Sequence, residues 1–359
     1  MPNIQYFLGG NTPTGFYSLY HQLSDPVHMR ALYIIKGGPG SGKSTLMRRV
    51  ERHIQVAGLE TEQVLCSGDP DSLDGLLLPE LGVALVDGTA PHVVEPQCPG
   101  AVEQYVDLSQ YYDRAGLQSL KKELLATVAE YQGHYKRAYR CLGAAGELRR
   151  NMTELLDSAQ VQQRIGKRAA GIISRELKRP LQKTGNTRQR FLSAITCKGA
   201  FTLWDTVSAQ AERIYELVDN YGLAHHLLNP MLTAALAMGH DVVACPDPMA
   251  SDRLAHLVFP DLSLAFVTSS QEDPWPGRTH RRLRLDAMAE ADTYRLNRPR
   301  LRFTRRVAAA LVDEGISGLS QAKEAHDRLE QLYNPYVNFD GVSEAADRLA
   351  GQILALSDE

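Results

Sequence analysis

Residues 37 to 44, Gly-Gly-Pro-Gly-Ser-Gly-Lys-Ser, bring backbone amides, a cation and a hydroxyl into one short stretch. The glycines let successive N–H groups turn toward one point, Lys43 supplies a compact positive charge, and Ser44 offers an oxygen to a hard cation. The spacing GxxxxGK[ST] suits a polyphosphate held in an amide cradle at a helix N-terminus. On this reading Gly37, Gly38, Pro39, Gly40, Ser41, Gly42, Lys43, Ser44 and Thr45 surround the phosphates of ATP. Lys43 bridges the β- and γ-phosphates and Ser44 ligates Mg²⁺. A chance glycine-rich turn is the alternative, but the flanks fit a site: apolar, β-prone ALYII before, amphipathic LMRRVERHI after.

Magnesium in such a loop needs a second carboxylate, usually at the end of a buried strand. Residues 81–86 read as an apolar strand that ends at Asp87, which is the expected metal ligand; the competing role is an aspartate that opens a DG turn. No Glu follows Asp87, so the group that activates water must come from elsewhere. Residues 63–66 suggest another strand, and Asp69, Asp71 and Asp74 are expected on the loop beyond it, near the γ-phosphate. Capping within an Asp/Pro/Gly-rich turn is the alternative for each. His92 is a candidate sensor or base, against an ordinary structural hydrogen bond.

To bring these groups together, strands must end on one edge of a sheet, and the chain offers that ground plan twice. FLGGNTPTGFYSLY (7–20) matches FLSAITCKGAFTLW (191–204), and LYIIKGGPGSGKSTL (32–46) matches IYELVDNYGLAHHLL (214–228). CSGDPDSLDGLLLPELGVALVDG (66–88) matches CPDPMASDRLAHLVFPDLSLAFVTS (245–269) in the same order. The expected organisation is α/β, two tandem P-loop-like units with mainly parallel sheets, at 1–185 and 186–359. A helical arm follows each core. The second unit has Asp219, Asn220, Leu223 and Ala224 in place of loop residues, His225 for Lys43, His226 for Ser44 and Thr268 for Asp87. It is therefore expected to bind no triphosphate. A metal at His225 and His226 is disfavoured, since adjacent helical residues diverge by about 100° and no third ligand is evident.

Leu117, Leu120, Leu124, Val128, Tyr131, Tyr135 and Leu142 recur at helical spacing, and Leu148, Met152 and Leu155 resume it beyond GAAG (143–146). This predicts a helical hairpin or two-helix arm at about 116–180, with a counterpart within 302–333, serving contact between the copies. Residues 164–190 carry nine Lys/Arg against one acid, and 278–306 carry ten arginines against three acids. Solvated faces explain such runs; an anionic ligand, or an arginine reaching the first copy's γ-phosphate, is the functional alternative. Without aromatic interleaving they give little support for nucleic acid. A net charge of −3, no membrane-length apolar run and five cysteines without CxxC spacing point to a soluble, cytoplasmic protein without a disulfide framework or zinc ribbon. The opening MPNIQYFLGG lacks the pattern of a secretory signal.

With FLGGNTPTGF, KGGPGSGKST, CSGDPDSLDG and VDGTAPHVVEP in one copy and the same plan repeated, the chain resembles a poorly characterised family of bacterial tandem P-loop ATPases. The resemblance implies ATP binding and names no pathway; this chain departs from it in lacking the second loop. Three functions remain open: an ATP hydrolase that drives or reports a conformational state, a kinase acting on a small molecule or nucleotide, and a nucleotide-binding regulator. The partner beyond the nucleoside triphosphate, small molecule or protein, is not legible.

Overall fold

The computed structural model describes residues 4–23, 29–177 and 181–357. Two six-stranded sheets form its frame. The first runs, in spatial order, Ile4–Tyr6, Glu62–Leu65, Leu73–Leu78, Val83–Asp87, Ala31–Lys36 and Glu103–Asp107. The second runs Thr187–Gln189, Val242–Asp247, Ala250–Phe259, Leu264–Ser269, Arg213–Val218 and Arg281–Arg284. Strand for strand, the repeat elements occupy the same places.

Both sheets are mixed: three of the five pairs in each are parallel, in line with the mainly parallel pairing expected, and one strand of each is reversed. Leu73–Leu78 and Ala250–Phe259 run antiparallel to both their neighbours, and the remaining pairs are parallel. The reason is connection length. Residues 66–72 and 79–82 are far fewer than the dozen or so a parallel crossover requires, so the chain must turn straight back. Asp74 consequently lies within a strand and not on the loop assigned to it from sequence.

Helices cover the sheets: α1 (Lys43–Val56), α2 (Arg114–Ser119), α3 (Lys121–Leu156), α4 (Ala159–Glu176), α5 (Trp204–Gln210), α6 (His225–Ala237), α7 (Ala291–Tyr333) and α8 (Phe339–Ala355). In α1, Leu46, Met47, Val50 and Ile54 form one buried stripe against the first sheet. Of the hairpin or two-helix arm expected, two long helices are present, but the break is not at GAAG: α3 continues unbroken through 143–146 and α4 starts only at Ala159. The small residues of α3 serve close approach, because a Cβ on Gly146 would come within 2.7 Å of Pro13. The antiparallel partner of α3 is α7, which begins at Ala291, earlier than the 302 expected. Their backbones approach where Gly315 and Gly318 face Leu142 and Ala138, and Arg328 pairs with Glu130 at 2.6 Å further along.

Beyond the arms the halves exchange helices. Val161, Ile165, Ala169 and Ile172 of α4 are buried with Leu227, Leu228 and Met231 of α6, in the second core. Val342, Ala346, Leu349 and Ile353 of α8 are buried with α1, in the first. At the centre Phe7 and Phe191, equivalent residues of the repeat, exchange two backbone hydrogen bonds of 2.9 Å. The Asn11 side chain also donates to Ile195 O at 2.8 Å.

Candidate functional site

The strand Ala31–Lys36 is almost wholly buried and delivers the chain to the glycine loop at the sheet edge. Gly40 and Gly42 have φ of +66° and +85°, conformations that side chains with a Cβ disfavour, and Gly42 leads into α1. The Lys43 ammonium folds back over this loop, donating to Gly37 O at 2.8 Å and Gly38 O at 2.9 Å. It lies 3.6 Å from Asp87 Oδ2. Asp87 ends the neighbouring parallel strand, so direct pairing of the two strands produces this juxtaposition. Its other oxygen accepts from Thr89 N at 2.8 Å. The Ser44 hydroxyl accepts from Leu73 N at 3.0 Å, which places it one residue from Asp74.

Asp74 sits on the strand adjacent to Asp87 and is buried. Burial raises its pKa above the usual carboxylate range; the nearby His92 opposes that rise and Asp87 adds to it. His92 Nε2 is 3.1 Å from Asp74 Oδ2, and the Tyr20 hydroxyl donates to the same oxygen at 3.3 Å. Phe16 and Tyr20 clasp the imidazole at centroid distances of 4.9 and 5.1 Å. Its Nδ1 is buried without a hydrogen-bond partner among the described residues. With Nε2–H assigned to Asp74, Nδ1 is left as a proton acceptor. Cys66 joins Asp74 and His92 in a group whose ligand atoms lie within 4.8 Å of one another.

Lys43, Ser44, Asp87, Asp74 and His92 are thus gathered at the end of the first sheet. Asp69 and Asp71 are not part of that group. Asp69 shapes its turn by accepting from Asp71 N at 3.2 Å, and it anchors Lys323 of α7 at 3.3 Å. Asp71 is exposed and pairs with Lys198. Thr45 is exposed as well, at the start of α1.

Sequence reasoning missed the cover over the loop. The end of α7 lies on it: a Cβ on Gly40 would come within 3.0 Å of Glu330 O. Oriented by its partners, the Asn334 amide donates to Gly40 O and Glu330 O, each at 3.1 Å. Tyr112 OH accepts from Gly38 N at 2.6 Å. Burial lowers the pKa of His326, and Lys43 is among the cations that lower it further. These residues lie 74 to 294 positions from the loop residues they touch, and no local motif marks them. Of the arginines in 278–306, Arg282 pairs with Glu216 and Arg305 with Glu272, both in the second half. In the other basic run, Arg188 pairs with Glu62 and Lys183 with Asp241, while 178–180 lie outside the described residues.

The second half answers the first position by position. Asp219, the counterpart of Gly37, turns its carboxylate into its own loop and accepts from Tyr221 N at 3.0 Å and Ala224 N at 2.6 Å. An internal carboxylate thereby uses amides of the kind that a phosphate would use. Burial pushes Asp219 up to about 6. Thr268, the counterpart of Asp87, donates its hydroxyl to Ala255 O. Beside this loop is a cavity of about 270 Å³, lined by Asp219, Tyr221, His225, Arg253, His256 and Arg305 among others.

No family model, curated protein or solved structure matches this chain. No described helix is long and apolar enough to cross a membrane.

Proposed function

We propose that the protein is a Mg²⁺-dependent P-loop ATPase with one working site, in its first half, whose turnover is coupled to the position of α7. The observation that carries this reading is the meeting of Lys43 and Asp87 at 3.6 Å, over a loop with two left-handed glycines and beside the Ser44 hydroxyl. Those three side chains are the donor set that a magnesium–triphosphate complex requires. Ser44 and Asp87 would hold the metal, whose role when bound is to neutralise charge on the phosphates. Lys43 exchanges its two carbonyl partners for phosphate oxygens. Asp74 orients His92, whose Nδ1 would be the acceptor for a proton from water admitted to the site.

Hydrolysis is favoured over transfer to a separate acceptor by the α7 residues that already lie on the loop, because a change in the phosphates would be felt there first. The test is phosphate release from Mg·ATP by the purified full chain without an added acceptor. The reading expects multiple turnovers in the wild type and none in Lys43→Ala. Turnover only in the presence of a small-molecule acceptor would move the assignment to a kinase. Equal release by the folded Lys43→Ala variant would overturn it.

A further inference from the structure

In the second half, His225 and His226 stand where the first has Lys43 and Ser44. The structure removes both objections to a metal there. First, the two imidazoles do not diverge: their ring centroids are 3.9 Å apart. Second, a third ligand arrives from outside the motif. Asp157, at the C-terminal cap of α3, approaches His226 Nε2 at 2.9 Å. One ligand atom from each of the three residues lies within 4.8 Å of the others.

We propose that Asp157, His225 and His226 form a binding site for a first-row divalent transition cation, of the zinc class. Two imidazoles and a carboxylate are a borderline donor set, suited to such ions and not to Mg²⁺ or Ca²⁺, which prefer all-oxygen shells. One separation can be compared directly. Ligands of a tetrahedral ion with bonds of ~2.0–2.1 Å sit about 3.3 Å apart, so the Asp157–His226 pair has to open by only a few tenths of an ångström.

The supporting contacts are those that metal ligands need. His225 Nδ1 is 2.9 Å from Gly222 O, so it carries the proton and leaves Nε2 as the ligand. Gln162 Nε2 donates to Asp157 Oδ1 at 3.1 Å and holds the carboxylate in place. The three side chains are half-buried, and His225 also lines the 270 Å³ cavity. An ion here would have three protein ligands and an open position toward that space, the arrangement of a reactive centre and not of a closed structural one.

The site is independent of the ATPase reading, and its test is chosen to be so. Untagged full chain, stripped with EDTA and dialysed, is titrated with Zn²⁺ by calorimetry and with Co²⁺ by visible absorbance. The expected result is one tight site, unchanged in Lys43→Ala and not displaced by millimolar Mg²⁺. Asp157→Asn, His225→Ala and His226→Ala should each weaken it by more than the ~10–100-fold that outer-shell partners carry. Asp157→Asn preserves shape, so its near-UV circular dichroism establishes folding. Two other groups with ligand atoms within 4.8 Å of one another, Cys66–Asp74–His92 and His326–Asp327–Glu330, serve as controls: Cys66→Ser and His326→Ala should leave the site intact. Absence of a tight site in the wild type, its survival in Asp157→Asn and His226→Ala, or its loss in a control would each overturn the proposal.

Discussion

Lys43 is the residue on which the first site turns. Replacement by alanine removes a charge with no substitute in the loop, and kcat for ATP should fall by about 10²–10³-fold or more, with a clear loss of nucleotide affinity in calorimetry. Asp87→Asn keeps the shape and should retain affinity better than turnover. His92→Ala should lower kcat by roughly 10²-fold with little change in affinity; full activity would reduce His92 to a structural contact with Asp74. A second residue-scale prediction concerns pH. Asp219 is held at about 6 against 3.8, so between those values the folded chain binds a proton that the unfolded chain lacks, and stability falls as pH rises. Burial pushes His256 down to about 3 against 6.5, so there the unfolded chain binds more protons and stability rises with pH. The two oppose each other between pH 4 and 6. Asp219→Asn removes the first, and its Tm in EDTA should climb more steeply over that range than the wild type's; parallel curves would sink the argument. The glycine loop, Lys43, Ser44 and Asp87 were legible because local spacing encodes them. The Asp74–His92 pair was legible only as separate candidates, since strand pairing joins them.

Among the elements, α7 has the most to do. Its N-terminal part lines the cavity of the second half with Arg305, Ala308 and Val312, and its C-terminal end rests on Gly40. Gly40→Ala combines a disfavoured φ with a Cβ 3.0 Å from Glu330 O, a backbone atom that cannot swing away. It should cost about 1–3 kcal/mol of stability, read as a lower Tm, and should weaken nucleotide binding. An unchanged Tm would show that α7 does not press on the loop. The helical periodicity of the first arm could be read from the sequence, and the second was expected as its counterpart, but their continuity could not be read. GAAG looks like a break because glycine punctuates isolated helices, whereas here Gly143 and Gly146 make room for Pro13. The antiparallel hairpin strand was hidden for a similar reason: a buried apolar run looks the same in either direction.

Across the whole molecule, the exchange of α4 and α8 means that neither 1–185 nor 186–359 contains all of its own core. Either piece expressed alone should expose apolar surface and fail to give a cooperative melt, while co-expression of the two should restore a soluble pair. An isolated 1–185 that melts cooperatively would contradict this. Calorimetry with a slowly hydrolysed ATP analogue should give one nucleotide per chain, lost in Lys43→Ala, because Asp219 already occupies amides of the second loop. The duplication was legible from matched segments, but the exchange was not, since no pattern within a helix records which of two similar cores it enters. Phe7 meeting Phe191 adds a historical dimension. A residue bonded to its own counterpart marks an isologous contact, the kind found in a two-fold homodimer. A single-copy ancestor built this way would be complete only as a pair, each chain lending its last helix to the other. Joining the copies end to end makes that association unimolecular and independent of concentration. It also frees one of two formerly identical loops to drift, because its strand and helix are still needed for packing after its phosphate chemistry is gone.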